Sequence, residues 1–202
     1  EKIISHLNYE AIETNKYLIC FTPESFIQLI SAFSSMFNAR SILDGISLMN
    51  KESIGTEIAV RNLNISDEGL HPENVGAFSF DGEGTPTQNI NLIESGTLKN
   101  LLHSEATARK FGVTPTGHAG LGAKVSVSPD WLVIGKSNKH PDKKIDLNIK
   151  TTQKEYILIE ELSALHSGVK ASQGSFSLPF DGWLVKNGKK KSIEAATIAG
   201  DI

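Results

Sequence analysis

The sequence predicts an α+β fold dominated by antiparallel sheet, with one substantial N-terminal helix and several short helices. Three observations support this prediction. Apolar residues recur at helical spacing between residues 23 and 38, and alternation typical of strands prevails from about residue 56. Asn187-Gly188 separates two strand-like runs, as the turn of a hairpin does. The sequence contains no internal repeat.

The N-terminal helix is predicted from its start signals and its apolar stripe. Thr22 offers a hydroxyl to cap the helix, Pro23 suits its first position, and Glu24 carries a negative charge near its positive end. The stripe consists of Phe26, Ile30, Phe33 and Phe37. We therefore expect about four turns that end near residue 38 and bury this stripe. A short buried strand is expected just before it, at residues 17–21.

Most later elements are predicted strands. Their ranges are 57–63, 76–80, 88–94, 97–103, 123–127, 131–134, 176–180, 183–186 and 189–195. Residues 156–162 fit a strand or a helix, and residues 66–74 fit a loop. Two short helices are expected, one at residues 40–50 and one ending at Phe111. Ser104 would cap the second of these, and Gly112 would stop it in a left-handed conformation.

Composition and charge exclude several classes of protein. The 202 residues suffice for one domain with a hydrophobic core. A net charge of −3 gives no electrostatic footprint for nucleic acid or for an anionic membrane surface. No apolar run reaches the roughly 18 residues of a membrane span. The single cysteine, Cys20, excludes an intrachain disulfide and fits a reducing compartment.

The most distinctive stretch is an acidic, glycine-rich loop at residues 81–87, which reads D-G-E-G-T-P-T. Gly82 and Gly84 accept positive φ angles at no steric cost, and Pro86 fixes its own φ, so the loop has a defined shape. A second glycine-containing loop follows at residues 116–118. Because glycines let a ligand backbone approach closely and threonine hydroxyls offer hydrogen bonds, both loops are candidate binding elements.

These loops belong to an ordered series of motifs that resembles the TldD/PmbA family, often called modulators of DNA gyrase and related to metalloproteases. The series runs D-G-E-G-T-P-T at 81–87, I-E-S-G-T-L-K at 93–99, A-R-K-F-G at 108–112, T-G-H-A-G at 116–120, S-G-V at 167–169, G-W at 182–183 and A-T-I-A-G at 196–200. The resemblance covers nearly the whole chain. It implies that residues 1–202 are most of the C-terminal domain of a longer protein, with the N-terminal domain and the extreme C-terminus outside this sequence.

One departure from the family pattern points to a particular branch. The peptidase members carry His-Glu-x-x-x-His on a helix that follows a strand, where the two imidazoles bind zinc and the Glu activates metal-bound water. The matching positions here hold Pro23, Glu24 and Gln28. Proline has no side-chain donor atom, and a glutamine amide is a poor zinc ligand. The resemblance therefore implies the PmbA-like (TldE-like) branch, with no catalytic residue, metal ligand or cofactor in this chain.

This branch implies a function and a set of partners. We expect a cytoplasmic subunit that partners a TldD-like peptidase subunit holding the zinc, and that supplies chamber wall and binding surface for unstructured peptides. The candidate substrate-binding residues are Asp81, Gly82, Glu83, Gly84, Thr85, Thr87, Thr116, Gly117 and His118. Two alternatives stay open: a metallopeptidase active by itself, and a non-enzymatic scaffold that modulates gyrase or an antitoxin. A homodimer also stays open, whereas nucleic acid and membrane are not expected partners.

Overall fold

A computed structural model describes residues 9–136 and 155–202. The chain divides into two compact units. The first unit comprises Glu1–Phe33, Lys143–Lys170 and Gly174–Ile202, and the second comprises Ser34–Asp142 and Ala171–Gln173. The strands are mostly antiparallel and the helices are short, so the α+β fold predicted from the sequence is confirmed.

The regular elements are numbered in chain order. The strands are β1 (Tyr9–Glu10), β2 (Ile19–Phe21), β3 (Leu63–Glu68), β4 (Asn89–Glu94), β5 (Thr97–Leu98), β6 (Ala119–Gly120), β7 (Ser126–Val127), β8 (Leu132–Lys136), β9 (Glu155–Leu162), β10 (Val169–Lys170), β11 (Ser175–Lys186), β12 (Lys189–Ile193) and β13 (Ala196–Asp201). The helices are α1 (Pro23–Ala32), α2 (Ala39–Leu43), α3 (Glu105–Phe111) and α4 (Leu165–Gly168), with 3₁₀ turns at Ser34–Phe37, Lys51–Ser53 and Ala171–Gln173. Across the described ranges, no helix has the length and apolar character that crossing a membrane requires.

The first unit is a seven-stranded sheet built around β11. Neighbouring strands follow the order β1-β12-β11-β9-β2, and β10 and β13 pair with the N-terminal half of β11. The β1–β12 and β2–β9 pairs are parallel, and the other pairs are antiparallel. A bulge interrupts β11 between Asp181 and Gly182. A Cβ on Gly182 would lie 2.3 Å from the carbonyl oxygen of Leu158, so only glycine permits this close approach of the two strands.

Two sequence predictions are resolved within this sheet. Residues 156–162 form a strand rather than a helix, and the run from Tyr156 to Ile159 is buried without alternation because both faces of the sheet are covered there. Asn187 (φ 49°) and Gly188 (φ 77°) form the predicted two-residue turn between β11 and β12. The half-buried Cys20 packs against the buried cluster that includes Tyr156 and Val185.

Helix α1 starts as predicted but ends earlier. Thr22 caps it by accepting a hydrogen bond from the backbone N–H of Ser25 (3.2 Å). The α-helix stops at Ala32, because the N–H of Phe33 bonds to the carbonyl of Ile30 (3.1 Å) and the chain tightens into a 3₁₀ turn at two serines of low helix propensity. The predicted stripe is nevertheless buried at Ile30, Phe33 and Phe37, whereas Phe26 is only half-buried.

The second unit contains a four-stranded antiparallel sheet in the order β5-β4-β3-β8 and a small β6–β7 pair. A two-residue turn joins β4 to β5, with Ser95 at φ 49° and Gly96 at φ 75°. The strand predicted at residues 57–63 is wrong, because the N–H groups of Ile58 and Ala59 both donate to the carbonyl of Gly96 (2.8 and 3.0 Å) and do not form a ladder. The strand predicted at 76–80 is wrong as well, since only one bridge, Phe80 to Pro86, forms there.

Strand β3 occupies a range whose second half was predicted as loop. Its polar residues Ser66, Asp67 and Glu68 lack the apolar alternation of a strand. Asp67 is nevertheless fully buried, because its carboxylate accepts hydrogen bonds from two backbone N–H groups of the adjacent chain segment. The sequence prediction therefore failed where a side-chain contact, rather than apolar patterning, fixed the strand.

The short helices follow their capping residues. Ser104 accepts from the N–H of Thr107 (3.4 Å) to start α3, and Gly112 at φ 70° stops it, as predicted. The helix predicted at residues 40–50 is shorter than expected. It ends at Leu43, because Gly45 follows at φ 69°, a left-handed conformation that interrupts a helix.

Candidate functional site

The loop at residues 81–87 is ordered by the side chain of Asp81. Its Oδ1 accepts hydrogen bonds from the N–H groups of Glu83 and Thr85 (both 2.9 Å). The backbone closes the same turn, since the N–H of Asp81 donates to the carbonyl of Thr85 (2.8 Å) and that of Gly84 donates to the carbonyl of Asp81 (3.1 Å). The loop therefore consumes most of its own N–H groups, and its carboxylate is a structural acceptor.

The second glycine-containing loop packs directly on the first. The N–H of Gly82 donates to the carbonyl of Ala119 (2.6 Å), and the N–H of Ala119 donates to Oδ2 of Asp81 (3.0 Å). Gly117 has φ 77°, and a Cβ there would lie 2.3 Å from the carbonyl oxygen of Pro86. The structure thus brings together the two loops that the sequence singled out. We call residues 81–87 and 116–120 the loop pair.

Glu83 fixes the loop pair to helix α3. Its Oε2 accepts a hydrogen bond from the N–H of Glu105, the first residue of the helix, at 2.8 Å. That N–H has no partner within the helix, and a negative charge is favourable at this end. The two carboxylates of the loop, Asp81 and Glu83, are therefore both bound to backbone N–H groups, and neither is placed as a free acid–base pair.

His118 lies beneath the loop pair against a buried carboxylate. Its Nε2 is 3.0 Å from Oδ2 of Asp67, and both side chains are fully buried. The contact lacks hydrogen-bond geometry, and within the described residues neither ring nitrogen has a hydrogen-bond partner. Asp67 also accepts from the N–H groups of Asp130 (2.8 Å) and Trp131 (2.6 Å). His118 therefore supports the loop from below, and its ring is not exposed to a ligand.

A third carboxylate, Asp130, adjoins this centre. Burial raises the pKa of the Asp130 carboxyl; His118 opposes that change, and the carboxylates of Asp67 and Asp81 reinforce it. Asp130 itself remains exposed to solvent. Sequence reasoning missed both Asp67 and Asp130. Neither falls in a recognisable motif, and only the fold brings them to His118.

The nine candidate residues separate by exposure into a rim and a support. Gly82, Glu83 and Gly84 are exposed, and Asp81 and Thr85 are half-buried. The four supporting residues are buried, namely Thr87, Thr116, Gly117 and His118. The hydroxyl of Thr116 already accepts from the N–H of His103 (2.8 Å), so it is not available to a ligand.

The strand–helix junction at residues 21–28 is the second region that the sequence singled out. Pro23 occupies the first position of α1 and is exposed, as is Glu24. Oε1 of Gln28 accepts a hydrogen bond from the backbone N–H of Leu162, the last residue of β9, at 3.0 Å. The Gln28 amide thus supplies the hydrogen-bond acceptor for the last N–H of β9. Neither Pro23 nor Gln28 has a side chain suited to hold zinc at this junction.

A groove of about 680 Å³ lies in the first unit, and none of the nine candidate residues lines it. The segment from Ala11 to Tyr17 forms one wall, and residues 194–199, at and before the start of β13, form another. Ile157 and Phe180 contribute apolar surface between them. The volume is in the range of ligand-binding clefts, roughly 300–1,000 Å³. Sequence reasoning did not anticipate this groove, because its walls come from opposite ends of the chain.

Comparisons with known proteins place these features in a family. Residues 14–202 match the PmbA/TldA metallopeptidase C-terminal domain. Metalloprotease PmbA of Escherichia coli O157:H7 is 25% identical over 205 residues, which cover 100% of this chain and 42% of that protein. A metalloprotease TldD homolog of Buchnera aphidicola subsp. Acyrthosiphon pisum is 32% identical over 143 residues, which cover 67% of this chain and 28% of the homolog.

Solved structures show the same architecture. A Thermotoga maritima protein described as a modulator of a DNA gyrase aligns with a TM-score of 0.85 and 29% identity, over 98% of this chain and 44% of its own. TldE from Thermococcus kodakarensis aligns with a TM-score of 0.80 over 99% of this chain and 45% of its own; at 20% identity this shows a shared fold. The chain thus spans less than half the length of these relatives.

Proposed function

The chain belongs to the PmbA/TldD metallopeptidase family, and from that premise we propose that it acts as a TldE-like subunit without a zinc site of its own. In this proposal residues 1–202 are most of the C-terminal domain of a longer cytoplasmic protein. It works beside a TldD-like peptidase subunit, which carries the zinc, on unstructured peptides. Its own contribution is chamber wall and peptide-binding surface.

The observation that carries this proposal is the use of Gln28. At the position where the resemblance places a zinc-binding imidazole, the Gln28 amide oxygen accepts the N–H of Leu162. At the other imidazole position, Pro23 starts the helix with no side-chain donor atom. Pro23 therefore serves to start the helix, and Gln28 serves to bind the end of β9. In this proposal Glu24 has no metal-bound water to activate.

The loop pair is proposed as a rigid part of the chamber wall. Its exposed rim, Gly82 to Gly84, has its N–H groups committed to Asp81 and Ala119. The rim therefore offers shape and carbonyl oxygens to a passing peptide, but few donors. The buried residues beneath it, including Thr87 and His118, keep that shape. In this role they determine substrate access without contacting the substrate.

The subunit assignment is tested by co-expression of the full-length protein with a full-length TldD-like subunit. Zinc content is measured for the complex and for each separated subunit, and cleavage of fluorescein-labelled casein is followed with each preparation. We expect one zinc per complex, retained by the peptidase subunit, and cleavage only when both subunits are present. Stoichiometric zinc and activity in this subunit alone would show an independent metallopeptidase. Full activity of the peptidase subunit alone would show a scaffold role.

The role of the loop pair is tested by adding a side chain at Gly84. This residue has φ 81°, and no atom lies within 4 Å of the point that a Cβ would occupy, so Gly84→Asn projects a polar group from the rim without disturbing the fold. Gly45→Asn is the matched control, with φ 69° and equally open surroundings. We expect casein cleavage by the complex to fall several-fold for Gly84→Asn and to stay unchanged for Gly45→Asn. Equal activity of both would remove the loop pair from the substrate path.

A further inference from the structure

The turn between β11 and β12 has no role in the proposed function. It consists of Asn187 and Gly188, which are both exposed and have positive φ angles of 49° and 77°. The hairpin closes on the pair formed by Lys186 and Lys189, so the N–H of Gly188 lies outside the ladder. Among the described residues that N–H has no hydrogen-bond partner. The Gly188 nitrogen is therefore free to lose its proton to solvent.

The side-chain amide of Asn187 is unrestrained as well. Within the described ranges neither its oxygen nor its nitrogen has a hydrogen-bond partner. Asn74 differs, because its Oδ1 accepts from the N–H of Gly76 (3.1 Å) and its Nδ2 donates to the carbonyl of Gly69 (2.8 Å). Oδ1 of Asn50 likewise accepts from two backbone N–H groups, at 2.8 and 3.0 Å. Asn187 can therefore rotate its side-chain carbonyl carbon, Cγ, towards the next backbone nitrogen.

The glycine after Asn187 leaves this approach open. Gly188 has no side chain, and no atom lies within 4 Å of the point that a Cβ would occupy. Two glycines that follow an aspartate, Gly45 and Gly82, are different. Their N–H groups donate to backbone carbonyls, at 3.2 and 2.6 Å, and are not available for reaction. The turn thus combines a free amide, a free N–H and an uncrowded path between them.

Lysines surround the same turn. Asn187 lines a hollow of about 300 Å³ together with Lys186, Lys189 and Lys191. Lys186 and Lys191 each pair with a glutamate, at 3.0 and 2.8 Å. The exposed Lys189 has no ion-pair partner in the described part of the chain. Its positive charge favours the negative charge that forms when the Gly188 nitrogen loses its proton.

We propose that Asn187-Gly188 is a modification site, at which the asparagine deamidates spontaneously in the folded protein with water as the co-reactant. The Gly188 nitrogen gives its proton to a solvent base and forms a bond to Cγ of Asn187. The Cγ–Nδ2 bond breaks, and Nδ2 takes up a proton and leaves as ammonia. Water then opens the cyclic imide. Opening at Cγ gives aspartate, opening at the backbone carbonyl gives isoaspartate, and neither route involves oxidation or reduction.

Isoaspartate changes the hairpin more than aspartate does. Its chain runs through Cγ, so the turn gains one backbone atom and no longer has the two-residue geometry that pairs Lys186 with Lys189. β12 also pairs with β1, and Nζ of Lys191 donates to Oε2 of Glu10 (2.8 Å). Aspartate adds only a negative charge beside the lysines. We therefore expect isoaspartate to loosen the β11–β12 tip as the protein ages.

The direct test is peptide mapping by mass spectrometry of the wild-type full-length protein, incubated at pH 8.5 in water enriched in oxygen-18. We expect the labelled acid at position 187 to form at least about tenfold faster than at Asn74. Direct hydrolysis gives aspartate alone, so isoaspartate at position 187 identifies the cyclic imide. The free peptide Leu-Val-Lys-Asn-Gly-Lys-Lys is the positive control. No conversion in the protein while this peptide converts, equal rates at the two asparagines, or aspartate alone would overturn the proposal.

Two variants locate the reaction on the turn. Gly188→Asn places a side chain beside the attacking nitrogen, at a positive φ that asparagine tolerates. We expect conversion at position 187 to fall about tenfold in this variant. Asn187→Gly removes the reacting amide, keeps a residue that suits the turn, and should give no product. Circular dichroism confirms that both variants fold. Unchanged conversion in a folded Gly188→Asn protein would overturn attack by the Gly188 nitrogen.

Hydrogen exchange measures the effect of the modification on the hairpin. The isoaspartate form is separated from the unmodified protein by ion exchange, and both are followed by mass spectrometry. We expect the amides of residues 189–191 to exchange faster in the isoaspartate form, while those of β13 exchange at the same rate in both. Equal exchange at residues 189–191 would overturn the expected loosening of the tip.

Discussion

The loop pair and the outer edge of β13 use similar residues in opposite ways. Both are rich in glycine, alanine and threonine and both reach the surface. In the loop pair, the backbone N–H groups of Gly82, Glu83 and Ala119 all donate inside the protein. At the edge of β13, those of Thr197 and Ala199 have no partner strand among the described residues. Capacity to bind a peptide backbone therefore depends on which backbone groups remain unpaired, which residue types alone do not reveal.

Removing the buried carboxylate beneath the loop pair should have the largest effect on the free energy of unfolding. Asp67→Ala deprives two backbone N–H groups of their acceptor and removes the carboxylate that lies 3.0 Å from Nε2 of His118. We expect a loss of about 3–5 kcal/mol in the free energy of unfolding, measured by urea denaturation. Asp44→Ala, which removes an exposed carboxylate paired with Arg40, is the control and should change little. Similar results for the two would mean that the loop pair is not supported from below.

Adding a side chain at Gly117 should distinguish the stability cost of a steric clash from the cost of backbone strain. Gly117→Ala brings a Cβ to 2.3 Å from the Pro86 carbonyl, whereas Gly112→Ala has a similar positive φ but open surroundings. The left-handed conformation alone costs roughly 1–2 kcal/mol. We expect Gly112→Ala to cost about that amount and Gly117→Ala to cost clearly more, in the same denaturation measurement. Equal costs would show that the two loops do not depend on close packing.

His103 should make the second unit sensitive to acid. Burial lowers the pKa of His103 below its usual 6.5, and its Nδ1 has no hydrogen-bond partner in the described part of the chain. The folded state therefore binds a proton less readily than the unfolded state. This contribution to stability is complete above pH 6.5 and decreases as the pH falls below it.

The measurement is the free energy of unfolding between pH 7.5 and pH 5, for wild type and for His103→Gln. The wild type should lose more stability over this range than the variant does. His166→Gln, at an exposed histidine, is the matched control for the substitution. A pH profile of His103→Gln that matches the wild type would contradict the assignment.

Substitution at the edge of β13 should have the smallest effect of all. Thr197→Ala removes an exposed side chain and leaves the outward N–H and C=O in place. We expect the free energy of unfolding to change by less than about 0.5 kcal/mol. A larger change would mean that the Thr197 side chain contributes to packing, and the contrast with the loop pair would weaken.

Sequence reasoning succeeded where local chemistry decides the structure. The cap at Ser104, the stop at Gly112 and the turn at Asn187 all depend on neighbouring residues, and all are confirmed. The two loops were identified from their glycines, and the structure brings them into contact. Their function as substrate-binding elements stays a prediction.

Sequence reasoning failed where a distant residue decides the structure. The polar half of β3 resembles a loop, because nothing local shows that Asp67 will be buried against the N–H groups of Asp130 and Trp131. The segment around Ile58 resembles a strand, but it folds over the turn at Gly96. The groove beside β13 combines residues from both ends of the chain, so no single stretch of sequence contains its signal.

The division of the chain also has a consequence for how it folds during synthesis. The first unit needs both ends of the chain: β2 pairs with β9, and Thr22 donates a hydrogen bond to the carbonyl of Glu160, 138 residues later. The second unit is almost contiguous. We expect the second unit to become protease-resistant first on the ribosome. The apolar face of helix α1 stays uncovered until β9 has emerged. Limited proteolysis of nascent chains stalled after residue 142 and after residue 202 would show whether the second unit becomes resistant before the first.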